Sequence, residues 1–293
     1  MSFERFFSAE EILIWRKQEL SKGGRAVDLD WLLDIGGGLG WSTLQELKIF
    51  QSSFHKLDLS LEELSLIWMR HLSDQIPLQH LVGKCPWRDF ELKVNSSALI
   101  PRQETEILID IALKKVDAGL MKYGRWADLG TGSGALAVAL ARALPLWEGH
   151  AADCCNDALA LAESNINTLT ENANVSLHLG DWWEPLKPWW GNFDLVVANP
   201  PYIPKTHLSE LDPVVRDHEP ILALSGGDDG MDSCRKVIKG AMKGLRSGGW
   251  LLLEHNFDQS EQALNLMVDS GFLEVDFEND LEGVRRFGLA LRP

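Results

Sequence analysis

The 293-residue chain reads as an α/β protein, with a seven-stranded, mostly parallel sheet following a small all-helical N-terminal domain. Three observations predict this. From Trp126 onward, apolar runs of strand length alternate with helical stretches. The polar and glycine-rich residues fall at the ends of those runs, as ligand loops do at the carboxyl edge of such a sheet. Residues 1 to about 75 show helical periodicity instead. The last two strands, 272–277 and 287–291, form a hairpin that gives the sheet an antiparallel edge strand.

Composition bounds the function. Hydrophobic content of 45% and charged content of 24% describe a globular protein, and 293 residues suffice for two domains. No apolar run reaches the roughly eighteen residues of a membrane span and no signal peptide opens the chain, so a cytoplasmic protein without a membrane partner is expected. Cys85, Cys154, Cys155 and Cys234 include an adjacent pair but no Cys-x-x-Cys, so neither a disulfide framework nor a metal site is indicated. Formal net charge is −15, with most of the excess acid beyond Lys84. Phosphate neutralisation carries most non-specific duplex affinity, so this balance counts against DNA binding. Twelve tryptophans suit cores and domain interfaces better than a recognition stripe.

In the N-terminal stretch, Ser8 with Glu11 forms a capping box ahead of Ile12, Leu13 and Trp15. Ser60 with Glu63 forms another and opens a helix over 61–72, where Leu64, Ile67, Trp68 and His71 recur at helical spacing. Residues 31–33 and 44–50 predict two short helices between them. Gly36, Gly37, Gly38 and Gly40 superficially look like a phosphate loop. No strand precedes them and no Gly-Lys-Ser/Thr follows, so they read as a helix–helix connection. Residues 1–75 hold no catalytic constellation and are assigned to substrate recognition. Residues 76–100 form a linker in which 87–94 alternates as a β-hairpin does. The α/β domain occupies 101–293. Its first helix spans 107–120, and taken alone Thr105 with Glu104 and Glu106 suits a plain helix cap.

Strand 126–129 then runs into Gly130-Thr131-Gly132-Ser133-Gly134 and helix 135–144. Glycines let the backbone approach a ligand closely, and a helix N-terminus offers free N–H groups. Strand 150–154 places Asp153 at its end, 23 residues beyond Gly130, where a carboxylate accepts both hydroxyls of a ribose. Helix 157–169, strand 175–179 and Asp181-Trp182 follow. The Gly-x-Gly-x-Gly spacing differs from that of dinucleotide folds, and a plain turn also satisfies it. With Asp153 and Asp181-Trp182 at successive strand ends, it points to a nucleoside-type cofactor.

Strand 193–198 ends in Asn199-Pro200-Pro201-Tyr202, whose prolines forbid continuation as strand or helix. This tip suits a planar amide or amine. The Asn199 side-chain oxygen and the Pro200 carbonyl accept the hydrogens of an NH2 group, and the Tyr202 ring covers its plane. Glu219-Pro220, Ala223-Leu224 and Gly226–Gly230 form a long loop, a candidate lid or substrate wall. Helix 234–245 and strand 250–254 precede the final hairpin. Glu254 reads as a surface carboxylate or cap rather than as an acid or base.

Taken together, Asp128–Gly134, Asp153, Asp181-Trp182 and Asn199–Tyr202 resemble the class I S-adenosylmethionine-dependent methyltransferases, a Rossmann-like fold, that act on exocyclic or amide nitrogen. Pro77-Leu78-Gln79, Gly83, Pro101-Arg102, Thr105-Glu106, Glu219-Pro220, Ala223-Leu224, Gly226-Gly227 and Glu254-His255 narrow the resemblance to the release-factor glutamine methyltransferases of HemK/PrmC type. It extends over nearly the whole chain. It implies methyl transfer from S-adenosylmethionine, leaving S-adenosylhomocysteine, to N5 of the glutamine in the Gly-Gly-Gln motif of peptide chain release factors. It also implies that Gly130, Thr131, Gly132, Ser133, Gly134, Asp153, Asp181, Trp182 and Asn199 contact the cofactor. Asn199, Pro200, Pro201 and Tyr202 would hold the glutamine and carry catalysis, and Arg102, Thr105 and Glu106 would wall the substrate. Release factors are then the partners of a monomer that has no direct nucleic-acid partner. The tetrapeptide alone is shared with adenine N6-methyltransferases, the alternative expectation. Gln103 stands where the family usually has proline. Asn256 stands where glycine is usual, which puts the local backbone in question.

Overall fold

The computed structural model describes residues 5–47, 49, 53–116 and 122–293, and in it both capping boxes are made. Ser8 Oγ accepts the Glu11 amide at 3.2 Å, and the Glu11 carboxylate accepts the Ser8 amide at 2.7 Å. Ser60 and Glu63 repeat the arrangement. Pairing these otherwise orphaned groups fixes where the helices Ala9–Leu20 and Leu61–Asp74 begin. Between them run Ala26–Trp31, one π-helical turn Leu32–Gly36, and Trp41–Glu46. Gly36 to Gly40 therefore connect helix to helix, as expected. Lys48 and Phe50, at the end of the short helix expected over 44–50, lie outside the described residues.

Leu29, Leu32, Leu33, Leu57, Leu64 and Trp68 form the core of this unit. Glu19 is buried beside them with its carboxylate paired: Lys22 Nζ and Ser65 Oγ each donate to it at 2.8 Å. The Trp68 indole donates to the Glu19 carbonyl at 3.3 Å. The unit is not purely helical, because Phe6–Ser8 pairs antiparallel with Phe54–Lys56. Three-residue strands are too short to display a two-residue periodicity. This unit comprises Met1–Pro86 with Pro213–His218, and the other comprises Trp87–Asp212 with Glu219–Pro293. The chain leaves the first unit within a hairpin of Lys84–Trp87 and Phe90–Lys93.

In the second unit the ordered elements are α1 (Glu106–Val116), β1 (Arg125–Leu129), α2 (Ala135–Ala143), β2 (Glu148–Asp153), α3 (Asn156–Leu169) and β3 (Val175–Leu179). Then come β4 (Phe193–Ala198), α4 (Asp232–Gly244), β5 (Leu245–Glu254), α5 (Ser260–Asp269), β6 (Leu273–Asn279) and β7 (Arg285–Leu291). Residues 117–120 of the helix expected over 107–120 lie outside the described residues. The sheet order is β6-β7-β5-β4-β1-β2-β3. Neighbours from β5 to β3 pair in parallel, whereas β7 runs antiparallel to both β5 and β6. The reversed strand thus lies one in from the edge, as half of the closing hairpin.

Burial on two faces explains why the central strands read as unbroken apolar runs. All six residues of β4 are buried. Val196, Ala198, Leu251 and Leu253 pack with Val237, Ile238 and Ala241 of α4 and Ala263 and Met267 of α5. Leu195, Val197 and Leu252 alternate with them and are equally buried. Chain order reverses between β1 and β4, so the loops after these strands part and leave a crevice at their carboxyl ends. Among the described residues no helix is long and apolar enough to cross a membrane.

Trp68 is the largest fully buried side chain of the N-terminal unit. Trp68→Ala is expected to cost about 3–5 kcal/mol of stability through the cavity it leaves, read from urea denaturation followed by circular dichroism.

Candidate active site

The first wall of the crevice is the glycine loop after β1. Gly130 has φ 75°, a left-handed conformation that side chains resist, and a Cβ there would lie 3.2 Å from the Trp182 ring. Gly134, with φ 83°, opens α2 so close to α3 that a Cβ would meet Ala162 at 3.1 Å. The Gly132 amide donates to Asp153 Oδ2 at 2.9 Å, and the Cys155 amide donates to Oδ1 at 2.9 Å. Asp153 is thereby fixed at the end of β2, with lone pairs still available on both oxygens. Thr131 Oγ1 donates to Asp128 Oδ2 at 2.7 Å. Burial pushes the Asp128 carboxyl up to about 7, against the opposing hydrogen bond from Thr131.

After β3, Trp182 takes a left-handed backbone, φ 49°, and its ring lies over Gly130. Asp181 is paired with Lys236 of α4 at 2.8 Å.

The opposite wall follows from strand register. Ala198 of β4 stands beside Leu253 of β5 in a parallel pair, so the next residues, Asn199 and Glu254, emerge as neighbours. Asn199 Nδ2 donates to Thr105 Oγ1 at 3.1 Å, and Thr105 Oγ1 donates to Glu254 Oε2 at 2.7 Å. Tyr202 Oη makes a long bond, 3.5 Å, to Glu254 Oε1. Burial raises the Glu254 carboxyl to about 7, with the Thr105 hydrogen bond opposing. Burial and then the Glu254 charge raise the Tyr202 hydroxyl, which stays a neutral phenol.

Behind Tyr202, Gln259 Nε2 donates to its carbonyl at 2.9 Å. Gln259 Oε1 in turn accepts the Asn256 amide at 3.1 Å, and Asn256 Oδ1 accepts the Phe257 amide at 3.0 Å. Asn256 has φ −67° and ψ 152°, which any residue adopts, so its place in a usual glycine position leaves the backbone undistorted. The loop beyond Tyr202 is tied back by Glu219, whose buried carboxylate accepts from Arg102 Nη2 at 2.6 Å and from the Ile100 amide at 3.1 Å.

These walls enclose a cavity of about 270 Å³. Of the residues expected at a site, Arg102, Thr105, Gly130, Thr131, Gly132, Ser133, Asp153, Asp181, Trp182, Asn199 and Pro201 line it. Gly134, Pro200 and Tyr202 are not among the residues that line it. Glu106 does not join it: its Oε1 accepts the Arg88 amide at 2.9 Å, and its carbonyl accepts from Arg88 Nη1. Successive residues entering a helix project about 100° apart, so Thr105 facing the cavity turns Glu106 away. Glu254 needs the opposite correction. It is no surface carboxylate but is 1% exposed and hydrogen-bonded within the site. Leu99, Leu136 and Ala158 supply apolar lining that nothing in the sequence distinguishes from ordinary core.

A carboxyl that holds its proton more tightly when folded favours the folded state at low pH and loses that advantage as pH rises from its unfolded value, near 4.5, through about 7. Glu254→Gln should therefore flatten the decline in melting temperature between those two pH values, measured by a calorimetric pH series.

With this geometry in place, residues 103–216 match the family described as Methyltransferase small domain. The chain is 36% identical over 293 residues to a release factor glutamine methyltransferase of Synechocystis sp., covering 96% of each. It is 40% identical over 248 residues to one from Thermosynechococcus vestitus, covering 84% of each. Its fold is similar to that of the hMettl16 catalytic domain in complex with a 3'UTR hairpin, with TM-score 0.55 and 13% identity over 81% of this chain and 83% of that one. The structural likeness is one of fold, whereas the sequence likeness runs through both units, and by it the chain belongs to the release factor glutamine methyltransferase family.

Proposed function

We propose that this enzyme transfers a methyl group from S-adenosylmethionine to the side-chain amide nitrogen of the glutamine in the Gly-Gly-Gln motif of peptide chain release factors. The observation that carries the reading is the meeting, in one cavity, of the glycine loop, Asp153 and Trp182 with Asn199 and Pro201. The lining suits the donor. Asp153 keeps acceptor capacity for ribose hydroxyls, and the indole offers a flat face beside Gly130. Gly130 to Gly134, Asp153, Asp181, Trp182 and Asn199 hold it, and when bound it supplies an electrophilic methyl on a sulfonium.

An amide nitrogen is a poor nucleophile because its lone pair is delocalised into the carbonyl. The chain's task is therefore orientation. Asn199 Oδ1 and the Pro200 carbonyl accept the two N–H bonds of the glutamine, and the Tyr202 ring fixes the amide plane. Arg102 and Thr105 contribute the wall. Each hydrogen bond supplies about 1 kcal/mol net. Prepaid orientation supplies roughly 7–11 kcal/mol, so geometry dominates. The helical domain, 1–75, docks the release factor, the linker 76–100 joins it to the α/β domain, and the protein works as a cytoplasmic monomer. The adenine N6-methyltransferase reading is not favoured: the net charge is −15, and the relatives just named carry the other activity.

Purified protein with tritiated S-adenosylmethionine should label the Gly-Gly-Gln glutamine of a release factor. Label in DNA alone would overturn the reading. Asn199→Ala should lower kcat about 100-fold while leaving the Kd for the donor within about threefold, since misplacement alone costs that much. Equal losses in both would remove Asn199 from its assigned role.

A further inference from the structure

We propose that Thr105 and Glu254 are positioning residues that decide which end of the Asn199 carboxamide faces the cavity, an inference that rests on the reading of Asn199 as the acceptor for the substrate amide. An asparagine amide is nearly symmetric in shape, with an acceptor oxygen at one end and two donors at the other. Rotated by half a turn, it would present hydrogens to the incoming NH2 group and repel it. Shape alone does not choose between these orientations. The polarity of the hydrogen bonds does.

An ionised carboxylate only accepts. Thr105 Oγ1 lies 2.7 Å from Glu254 Oε2, so the one hydroxyl proton of Thr105 is committed to Glu254. That leaves Thr105 with lone pairs alone for Asn199, and the atom facing it at 3.1 Å is accordingly Nδ2. Oδ1 is left for the cavity that Thr105 and Asn199 both line. The polarity runs in one direction, from a buried carboxylate to an acceptor at the tip.

A glutamine in place of Glu254 would fill the same space, yet its amide can donate as well as accept and would leave the polarity open. A buried acid is costly where only packing is at stake. Its surroundings do little to hold the charge. Arg286 of β7 favours it but is shared with Asp280 at 2.8 Å, Glu104 before α1 opposes it, and Tyr202 reaches it only through the long bond. Protonated Glu254 would donate to Thr105, whose hydroxyl could then donate to Asn199 Oδ1 and turn the amide over. Burial holds this carboxyl near 7, so the reversed form gains population on the acid side of neutrality.

The test compares Thr105→Val, Thr105→Ser and Glu254→Gln in the full chain. T105V should lower kcat on release factor about ten- to a hundredfold, the range for losing one preorganised polar contact, with donor affinity by calorimetry within about twofold. T105S, which keeps the hydroxyl, should stay within about threefold of wild type. The wild-type kcat should rise with pH through a limb near 7 that E254Q lacks. Independently of turnover, the Asn199 side-chain NH2 resonances of the free enzyme should show one proton slow to exchange with solvent, and exchange should quicken in T105V. Wild-type kcat in T105V, equal losses in T105S and T105V, or unchanged amide exchange would each overturn the inference. Absent turnover in the wild type would overturn the substrate reading instead, and the amide exchange would still decide the polarity.

Discussion

The parallel pairing of β4 with β5, Ala198 beside Leu253, is the constraint on which the site depends. Sliding either strand by one residue would exchange its two faces and move Val196, Ala198, Leu251 and Leu253 off the surface they share with α4 and α5. Both faces are buried, so a side chain so displaced is forced into a space it does not fit, at a cost of typically about 1–3 kcal/mol. A single polar contact at the strand ends contributes about 1 kcal/mol. The apolar interior therefore sets where Asn199 and Glu254 land, and their hydrogen bonds refine an adjacency already imposed. A polar tip placed by a core is also a rigid one.

The other wall is held by a reciprocal fit. Trp182 keeps a left-handed backbone that costs on the order of 1–3 kcal/mol, and its ring rests over Gly130, itself left-handed. Any side chain at Gly130 would be strained by its own φ and pressed to within 3.2 Å of that ring. The glycine is thus required twice, once for the turn and once for the neighbour. The Gly132 amide does a separate job by orienting Asp153 across the gap between β1 and β2.

The parts of the fold legible in the sequence are those with a local signal. Each capping box, the two-face burial of β4 and the glycine turn before α2 is written in residues only a few positions apart. β5 begins at Leu245, five residues ahead of the apolar run: Leu245 pairs with Phe193, and the register shifts across Gly248 and Gly249 before pairing resumes at Trp250 beside Leu195. The strands Phe6–Ser8 and Phe54–Lys56 were invisible for want of length. Within the site, the residues at strand ends could be named from spacing, and most of them line one cavity. Glu254 could not, since its role arises from a neighbour 55 positions away that only the sheet order supplies. Glu106 lies off the cavity for the converse reason: adjacency in sequence to Thr105 is not adjacency in direction.

The same reasoning accounts for Asn256. Glycine at a turn is needed where the backbone is left-handed, and here it is not, because φ is −67°. The asparagine adds something glycine lacks. Its side chain caps the turn Phe257–Gln259, and that turn aims Gln259 at the Tyr202 carbonyl at 2.9 Å. A carbonyl leaving a proline-broken strand has no ladder partner, and without a donor it would stay unsatisfied. Gln259 is itself 4% exposed, so water is a poor substitute for the contact. The substitution therefore lies on the support of the tetrapeptide, where a side chain that orders the turn helps fix the Tyr202 backbone.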